Sequence, residues 1–265
     1  MQRIYKRIVL SIMKNLLAQT KVYVHKVLRQ MGYRAFRIGG YSIFDFESFL
    51  YRHLAVHKHL TFLQIGANDG VMNDPIYQFN MDNKSVVTGF VLEPLPDTYE
   101  KLVENYKCCP RIKPFNLAIH ATESEMVLHR VKPSLAVGIP AFARGIASFN
   151  EDHWKKSTLV PSLDYMEQVK VKCISFAEFV KSNDIKKLDL LLLDTEGYDY
   201  QILMSIDFTY IKPRMIRFEH GVRDKVMSPE NFMAVCSYLN SFGYQIIAES
   251  YDATAYLLNP ADLVF

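Results

Sequence analysis

Five residues, Gly66-Ala67-Asn68-Asp69-Gly70, follow directly on an apolar run. Glycines at the first and fifth positions of such a turn let the backbone approach a bound ligand, because glycine adopts the positive φ that sharp turns demand. The dinucleotide fingerprint GxGxxG spaces its glycines differently, so this turn is a poor match to it. Glu93, followed by Pro94, ends a second apolar run. An acid there can accept hydrogen bonds from ribose hydroxyls, as in nucleotide-binding α/β folds. Asn116-Leu117-Ala118 closes a third run, Asp194 and Glu196 follow a fourth, and Glu219-His220 a fifth. Carboxylates and an imidazole so placed can take a proton from a hydroxyl or hold a cation. The same residues have plainer readings. Asp194 and Glu196 favour the positive end of a helix starting at Tyr198, and His220 fits a hydrogen-bonded core histidine. A later stretch, Ser148-Phe149-Asn150-Glu151-Asp152-His153-Trp154, adds His153 as a second candidate base, or else is a surface loop with a helix cap at Asn150.

The elements that must position these groups alternate along the chain. Strands are predicted over residues 61–65, 87–92, 111–119, 188–193, 215–218, 244–249 and 254–258, and helices near 75–81, 96–106, 175–182, 198–206 and 229–242. Alternation of this kind marks a parallel sheet covered on both faces. Residues 188–193 are almost wholly apolar, as a central strand should be. Only Ser250-Tyr251-Asp252-Ala253 separates the last two strands, too short for a parallel crossover, so they must form an antiparallel hairpin. Ligands of such sheets bind outside the carboxyl ends of the strands, where strand order reverses. From about 123 to 172 the alternation fails, and Pro133, Gly138, Pro140, Gly145 and Pro161 punctuate a stretch without clear period. An insertion of that length in a compact domain is expected to be a lid or substrate loop.

The 265 residues, 49% of them hydrophobic, suit one large α/β domain. The net charge of +3 hides an asymmetry. Arg3, Lys6, Arg7, Lys14, Lys21, Lys26, Arg29, Arg34 and Arg37 all precede the first acid, Asp45, so the rest of the chain is mildly acidic. Residues 1–44 therefore read as a basic helical arm, with Ile4, Ile8, Ile12, Leu16 and Leu17 on one face, and 45–265 as the domain proper. The arm either packs on the domain or makes peripheral contact with an anionic membrane surface. Residues 8–18 are apolar, but Lys14 interrupts them and they are too few to span a bilayer or to serve as a signal peptide. Nothing in the charge pattern of the body calls for nucleic acid as a partner. Cys108, Cys109, Cys173 and Cys236 show no zinc spacing and no disulfide framework, which fits a reducing cytoplasm.

With Leu63-Gln64-Ile65-Gly66-Ala67-Asn68-Asp69-Gly70, Glu93-Pro94, Asn116-Leu117-Ala118 and Leu193-Asp194-Thr195-Glu196-Gly197-Tyr198-Asp199 in hand, the chain resembles the FkbM family of methyltransferases over residues 61 to about 258. The resemblance implies a Rossmann-like class I fold, a mostly parallel seven-stranded sheet with a terminal antiparallel hairpin, binding S-adenosylmethionine. It implies O-methylation of a hydroxyl on a sugar, glycan or related metabolite. Gly66, Ala67, Asn68, Asp69, Gly70, Glu93, Pro94, Asn116, Ala118 and Asp194 become the expected cofactor contacts. Asp194, Glu196 and His220 become the expected catalytic groups. By similarity to metal-assisted sugar O-methyltransferases, Asp194 and Glu219 are candidate Mg²⁺ ligands, with His220 as base or third ligand. Gln64 and Asn68 depart from the general class I pattern, where an acid and a second glycine are common. A non-catalytic S-adenosylmethionine-binding protein and a nicotinamide oxidoreductase are the alternatives; the retained Asp194 and His220 weigh against the first, the missing GxGxxG and the terminal hairpin against the second.

Overall fold

The structure is a computed structural model that describes residues 45–135, 147–149, 160 and 162–258, together with Thr20, Tyr23, Val24, Val27 and Leu28. The chain divides into two units, Met1–Ile43 and Phe44–Phe265. In the first, the five described residues are helical, while the apolar positions Ile4, Ile8, Ile12, Leu16 and Leu17 lie outside the described residues. Among the described residues no helix is long and apolar enough to cross a membrane.

The second unit opens with helix α1 (Phe46–His57), which lies within the expected domain but is not among the helices predicted from its sequence. Asp45 caps it by accepting from the Ser48 N–H. There follow β1 (Leu60–Ile65), α2 (Tyr77–Asp82), β2 (Val87–Leu92), α3 (Pro96–Tyr106) and β3 (Ile112–Phe115). After the inserted segment come α4 (Phe176–Ser182), β8 (Leu190–Leu193), α5 (Asp199–Ser205), β9 (Met215–Glu219), α6 (Pro229–Ser241), β10 (Tyr244–Ala248) and β11 (Asp252–Leu257). Local signals place the helix starts. Ser175 and Glu178 form a reciprocal capping box on α4, and Ser228 with Pro229 opens α6.

Seven strands form one sheet in the order β10-β11-β9-β8-β1-β2-β3, with β1, β2, β3, β8 and β9 mutually parallel. β11 runs antiparallel to both β9 and β10, so the terminal hairpin inserts its last strand between β10 and the parallel set. This is the Rossmann-like class I methyltransferase topology. Strand order reverses between β1 and β8, where a crevice must open at the carboxyl ends. Successive side chains feed opposite faces. Leu63, Ile65, Leu191 and Leu193 enter the core under α4, α5 and α6, whereas Phe62, Leu190 and Leu192 enter the core with Leu50 of α1, Phe79 of α2 and Leu102 of α3.

The segment from about 123 to 172, expected as a lid or substrate loop, contains a second sheet. The predicted strand over 111–119 stops at Phe115, and β4 (Ala118–Ile119) turns away to pair with β7 (Met166–Ile174). β7 pairs antiparallel along β5 (Glu125–Val131), which also takes up β6 (Ala147–Ser148), giving the order β4-β7-β5-β6. Val169, Val171 and Cys173 alternate with Lys170 and Lys172. That period of two is a strand signal, diluted by the prolines and glycines before it. Much of the stretch between β5 and β7 is outside the described residues, His153 and Trp154 among them.

Candidate active site

A cleft of about 430 Å³ opens at the carboxyl ends of β1, β2 and β8. Its floor is the turn after β1. Gly66 has φ +82° because its backbone lies against the Asp194 carbonyl, and a Cβ there would stand 1.9 Å from that oxygen. The N–H groups of Gly66 and Ala67 both donate to Leu92 O, and the Asp194 N–H donates to Ile65 O, which ties the three strand ends together. Asn68 takes φ +49°, a left-handed value that Asn tolerates better than most residues. Asp69 accepts from the N–H groups of Val71 and Met72 at 2.9 and 2.7 Å, and Asn105 donates to the Asp69 carbonyl. Gly70, also at positive φ, packs where a side chain would strike Leu102 and Tyr106 of α3.

Glu93 is 6% exposed and lines this cleft. One carboxylate oxygen accepts from the Asn68 N–H at 3.0 Å and the other from the Leu95 N–H at 2.9 Å. The acid thus joins the glycine turn to the entry of α3 and retains lone pairs for further donors. Pro94 and Ala118 line the same space. Asn116 does not. Its side-chain amide donates to the carbonyls of Glu93 and Pro94, both at 2.9 Å, so it fixes the backbone that presents Glu93 rather than touching a ligand.

Asp194 and Glu196 face the cleft from the end of β8. Asp194 is open to the cavity although protein surrounds it. Desolvation, followed by the charges of Glu196 and Asp199, raises its pKa well above the usual carboxylate value. Glu196 takes φ +52°, and Ser148 of β6 donates to its carbonyl, so the inserted sheet is pinned to this rim. Neither acid caps α5. Asp199 organises the turn instead: fully buried, it accepts from the Thr195 N–H and hydroxyl and from the Glu219 N–H. Asp199 closes the segment Leu193-Asp194-Thr195-Glu196-Gly197-Tyr198-Asp199, but nothing in its spacing marks it as the acid that bridges β8 to β9.

Glu219 and His220 do not line the cleft. The His220 ring turns toward the terminal hairpin, packs on Phe232 at 4.6 Å, and lies 3.2 Å from the Glu249 carbonyl through Nε2, while Nδ1 accepts from the Val222 N–H. A carbonyl can only accept and an N–H only donate, so both ring nitrogens are committed and His220 is a hydrogen-bonded core histidine. Glu219 is pushed up to about 9 by burial and then by Asp194, Glu196, Asp199 and Asp252, which leaves it protonated near neutral pH. Among the described residues no three His, Cys, Asp or Glu side chains are grouped to hold a metal ion. The expected Mg²⁺ site at Asp194 and Glu219, completed by His220, is therefore not assembled among the described residues.

Two pairings were not foreseen. Gln64, 3% exposed, lines the cleft and donates to Asp74 at 2.8 Å, while its own Oε1 has no partner among the described residues. The other Asp74 oxygen accepts from the N–H groups of Ile76 and Tyr77 at the start of α2. Across the cleft, Arg130 of β5 donates to Asp97 of α3 at 2.5 Å and to Glu167 of β7 at 2.7 Å, clamping the inserted sheet over the cofactor side. Phe149 adds an aromatic wall, edge-on to Tyr198, which stacks on His120.

A model of the Methyltransferase FkbM domain matches residues 64–246. The chain belongs to this family. It is an S-adenosylmethionine-dependent methyltransferase, and the matched region contains the turn, Glu93 and Asp194. No curated protein matches the chain at a significant level. Among solved structures, this FkbM methyltransferase is similar to the fibrillarin pre-rRNA processing protein of Methanococcus jannaschii, at 13% identity and TM-score 0.40 over 75% of this chain and 66% of that one. It is also similar to the precorrin-6y C5,15-methyltransferase of Geobacter metallireducens, at 13% identity and TM-score 0.38 over 78% and 87%. An SAH-bound methyltransferase of Podospora anserina gives 11% identity and TM-score 0.41 over 80% and 76%. The chain spans about two thirds of the fibrillarin's length.

The residues of the FkbM methyltransferase fit a cationic cofactor. Asp69, Asp74, Glu93, Asp97, Asp194 and Glu196 line the cleft against Lys101 and Arg130, and Arg130 is already paired. Burial raises Glu93 to about 7 and both Asp74 and Asp199 to about 6. The unliganded folded protein thus holds protons that the unfolded chain releases above about pH 4. The stability associated with these neutral carboxyls is complete below that pH and is lost as pH rises through about 6 to 7. The unliganded protein is expected to melt at a lower temperature at pH 8 than at pH 5. Glu93 alone contributes on the order of 3 kcal/mol to the difference. Scanning calorimetry over that range is the check; a melting temperature that climbs from pH 5 to 8 would contradict it.

Proposed function

We propose that this protein transfers the methyl group of S-adenosylmethionine to a hydroxyl of a sugar, glycan or related metabolite, with Asp194 as the proton acceptor. The observation that carries this reading is that the Gly66 turn, Glu93 and Asp194 share one acidic cleft at the reversal of strand order. Bound there, the cofactor supplies an electrophilic methyl group on a cationic sulfur. The turn would accept its amino-acid end, with Gln64 Oε1 as an acceptor awaiting a donor, and the free lone pairs of Glu93 would accept from its ribose hydroxyls. A hydroxyl is a weak nucleophile, so alignment and proton removal are what the chain contributes. Asp194 is suited to the second task because its surroundings disfavour its charge, which raises its basicity toward that of a useful general base. The wall made by the inserted sheet and Phe149 gives an acceptor an apolar face to lie on.

The partners follow from charge. A neutral acceptor suits a cleft already rich in carboxylates, nucleic acid does not, and the basic residues 1–44 would hold the domain near an anionic membrane surface from the cytoplasmic side. The division into that arm and a catalytic domain over 45–265 belongs to the same proposal.

The deciding experiment is calorimetry with S-adenosylhomocysteine. Wild type is expected to bind it and not NAD. Glu93→Ala is expected to weaken binding by about 2 kcal/mol, roughly 30-fold, the worth of a hydrogen bond to a charged acceptor. Unchanged affinity with an intact circular dichroism spectrum would remove Glu93 from the ribose site.

A further inference from the structure

Away from the cleft, three sulfur atoms meet between α2 and the turn that follows α3. Met81 Sδ lies 3.8 Å from Cys108 Sγ and 3.7 Å from Cys109 Sγ, and the two thiols are 3.9 Å apart. None of the three residues lines the cofactor cleft. We propose that Met81, Cys108 and Cys109 form a trigonal binding site for copper(I).

The geometry is that of a ligand set. The point equidistant from the corners of so nearly regular a triangle is about 2.2 Å from each sulfur, the length of a metal–thiolate bond, about 2.3 Å for zinc. The thioether can accept from both thiols, and one thiol can donate to the other, so thiol hydrogens link the three sulfurs when no cation is bound. Binding replaces them: each thiol releases its proton to solvent, two bonds form from the thiolates and one from the thioether, and no atom changes oxidation state. The complex of one monovalent ion with two thiolates carries one negative charge; burial and the neighbouring Cys108 push the Cys109 thiol up to about 11, so the cation must displace that proton, and the ammonium of Lys84 offsets part of the cost.

Backbone bonds hold the set in place. The Cys109 N–H donates to Tyr106 O at 2.8 Å and the Ile112 N–H to Cys109 O at 2.9 Å, while Met81 sits in helix α2. Cys109 is 1% exposed and Cys108 is exposed, so the site has a dry side and an entry from solvent. The ligand types choose the metal. Thioether and thiolate are soft donors that select copper(I). Zinc requires a fourth ligand in a closed site, and among the described residues no group of three His, Cys, Asp or Glu offers one.

The full-length reduced protein would be titrated anaerobically with copper(I) in competition with a chromophoric copper(I) chelator. Wild type is expected to retain one equivalent and to melt at a higher temperature when loaded. Cys108→Ser, at an exposed position, is expected to weaken binding about 100-fold or more, and the volume-conserving Met81→Leu about tenfold, with both variants melting near the wild-type temperature when metal-free. A chelator that strips wild type as readily as Cys108→Ser would overturn the site. Equal affinity in Met81→Leu would overturn the trigonal set, as would retention of zinc in preference to copper.

Discussion

Asp194→Asn is expected to lower turnover by a factor on the order of 10² or more, while S-adenosylhomocysteine affinity changes no more than a few-fold. The amide has the shape of the carboxyl but cannot take a proton. Asp194 stands at the end of β8, against the Gly66 turn and open to the cleft, where burial and the acids around it raise its basicity. A bound sulfonium would favour its ionised form, so the wild-type rate should climb with pH as Asp194 ionises, and that limb should be absent in the variant. Turnover within about threefold of wild type, or a loss confined to KM, would show that Asp194 only holds ligands and that proton removal lies elsewhere. His220→Gln serves as the comparison, since both nitrogens of that ring are engaged outside the cleft.

Gly66→Ala is expected to abolish cofactor binding and to destabilise the domain by at least about 3 kcal/mol. Two costs combine. The residue must hold φ +82°, which costs an L side chain about 1–2 kcal/mol. Its Cβ would also stand 1.9 Å from the Asp194 carbonyl oxygen and 2.8 Å from the carbonyl carbon, so β1 and β8 must part at the point where the cleft is built. Gly243→Ala separates the two effects. Its φ is +87° but nothing lies within 4 Å of the added carbon, so only the conformational cost applies. Urea unfolding of the two variants, with calorimetry against S-adenosylhomocysteine, gives the difference directly. Equal losses in both would mean that the strand ends relax around the methyl group.

Much of this was legible in the sequence because it is local. Apolar runs such as Leu190–Leu193 specify buried strands, Ser175 and Ser228 specify helix starts, and the three-residue connection between β10 and β11 allows only a hairpin. Gly66 and Glu93 could be placed because each directly follows a strand, and polar residues at that point must emerge on the rim of the sheet. The family itself followed from the segments that carry these residues.

Whatever depended on the direction of a side chain was not legible. Glu219-His220 and Asp194 end adjacent strands, and sequence alone brought them to one point. The fold takes only the His220 ring away, because the chain turns after β9 and the ring finds its partners in the hairpin, while Glu219 stays near Asp194 without lining the cleft. Asn116 lies on the predicted rim, yet its amide is spent on the Glu93 and Pro94 carbonyls. Asp199, Arg130 and the Gln64–Asp74 pair act through partners 4 to 37 residues away, and such distances leave no period to read. Sequence therefore determined the sheet, its hairpin and the glycine turn, since backbone sterics and hydrophobic alternation are properties of neighbouring residues. Tertiary structure alone decided which acids share the cleft, which histidine is spent in the core, and that the insertion is a second sheet, because those outcomes depend on hydrogen bonds and packing between segments far apart in the chain.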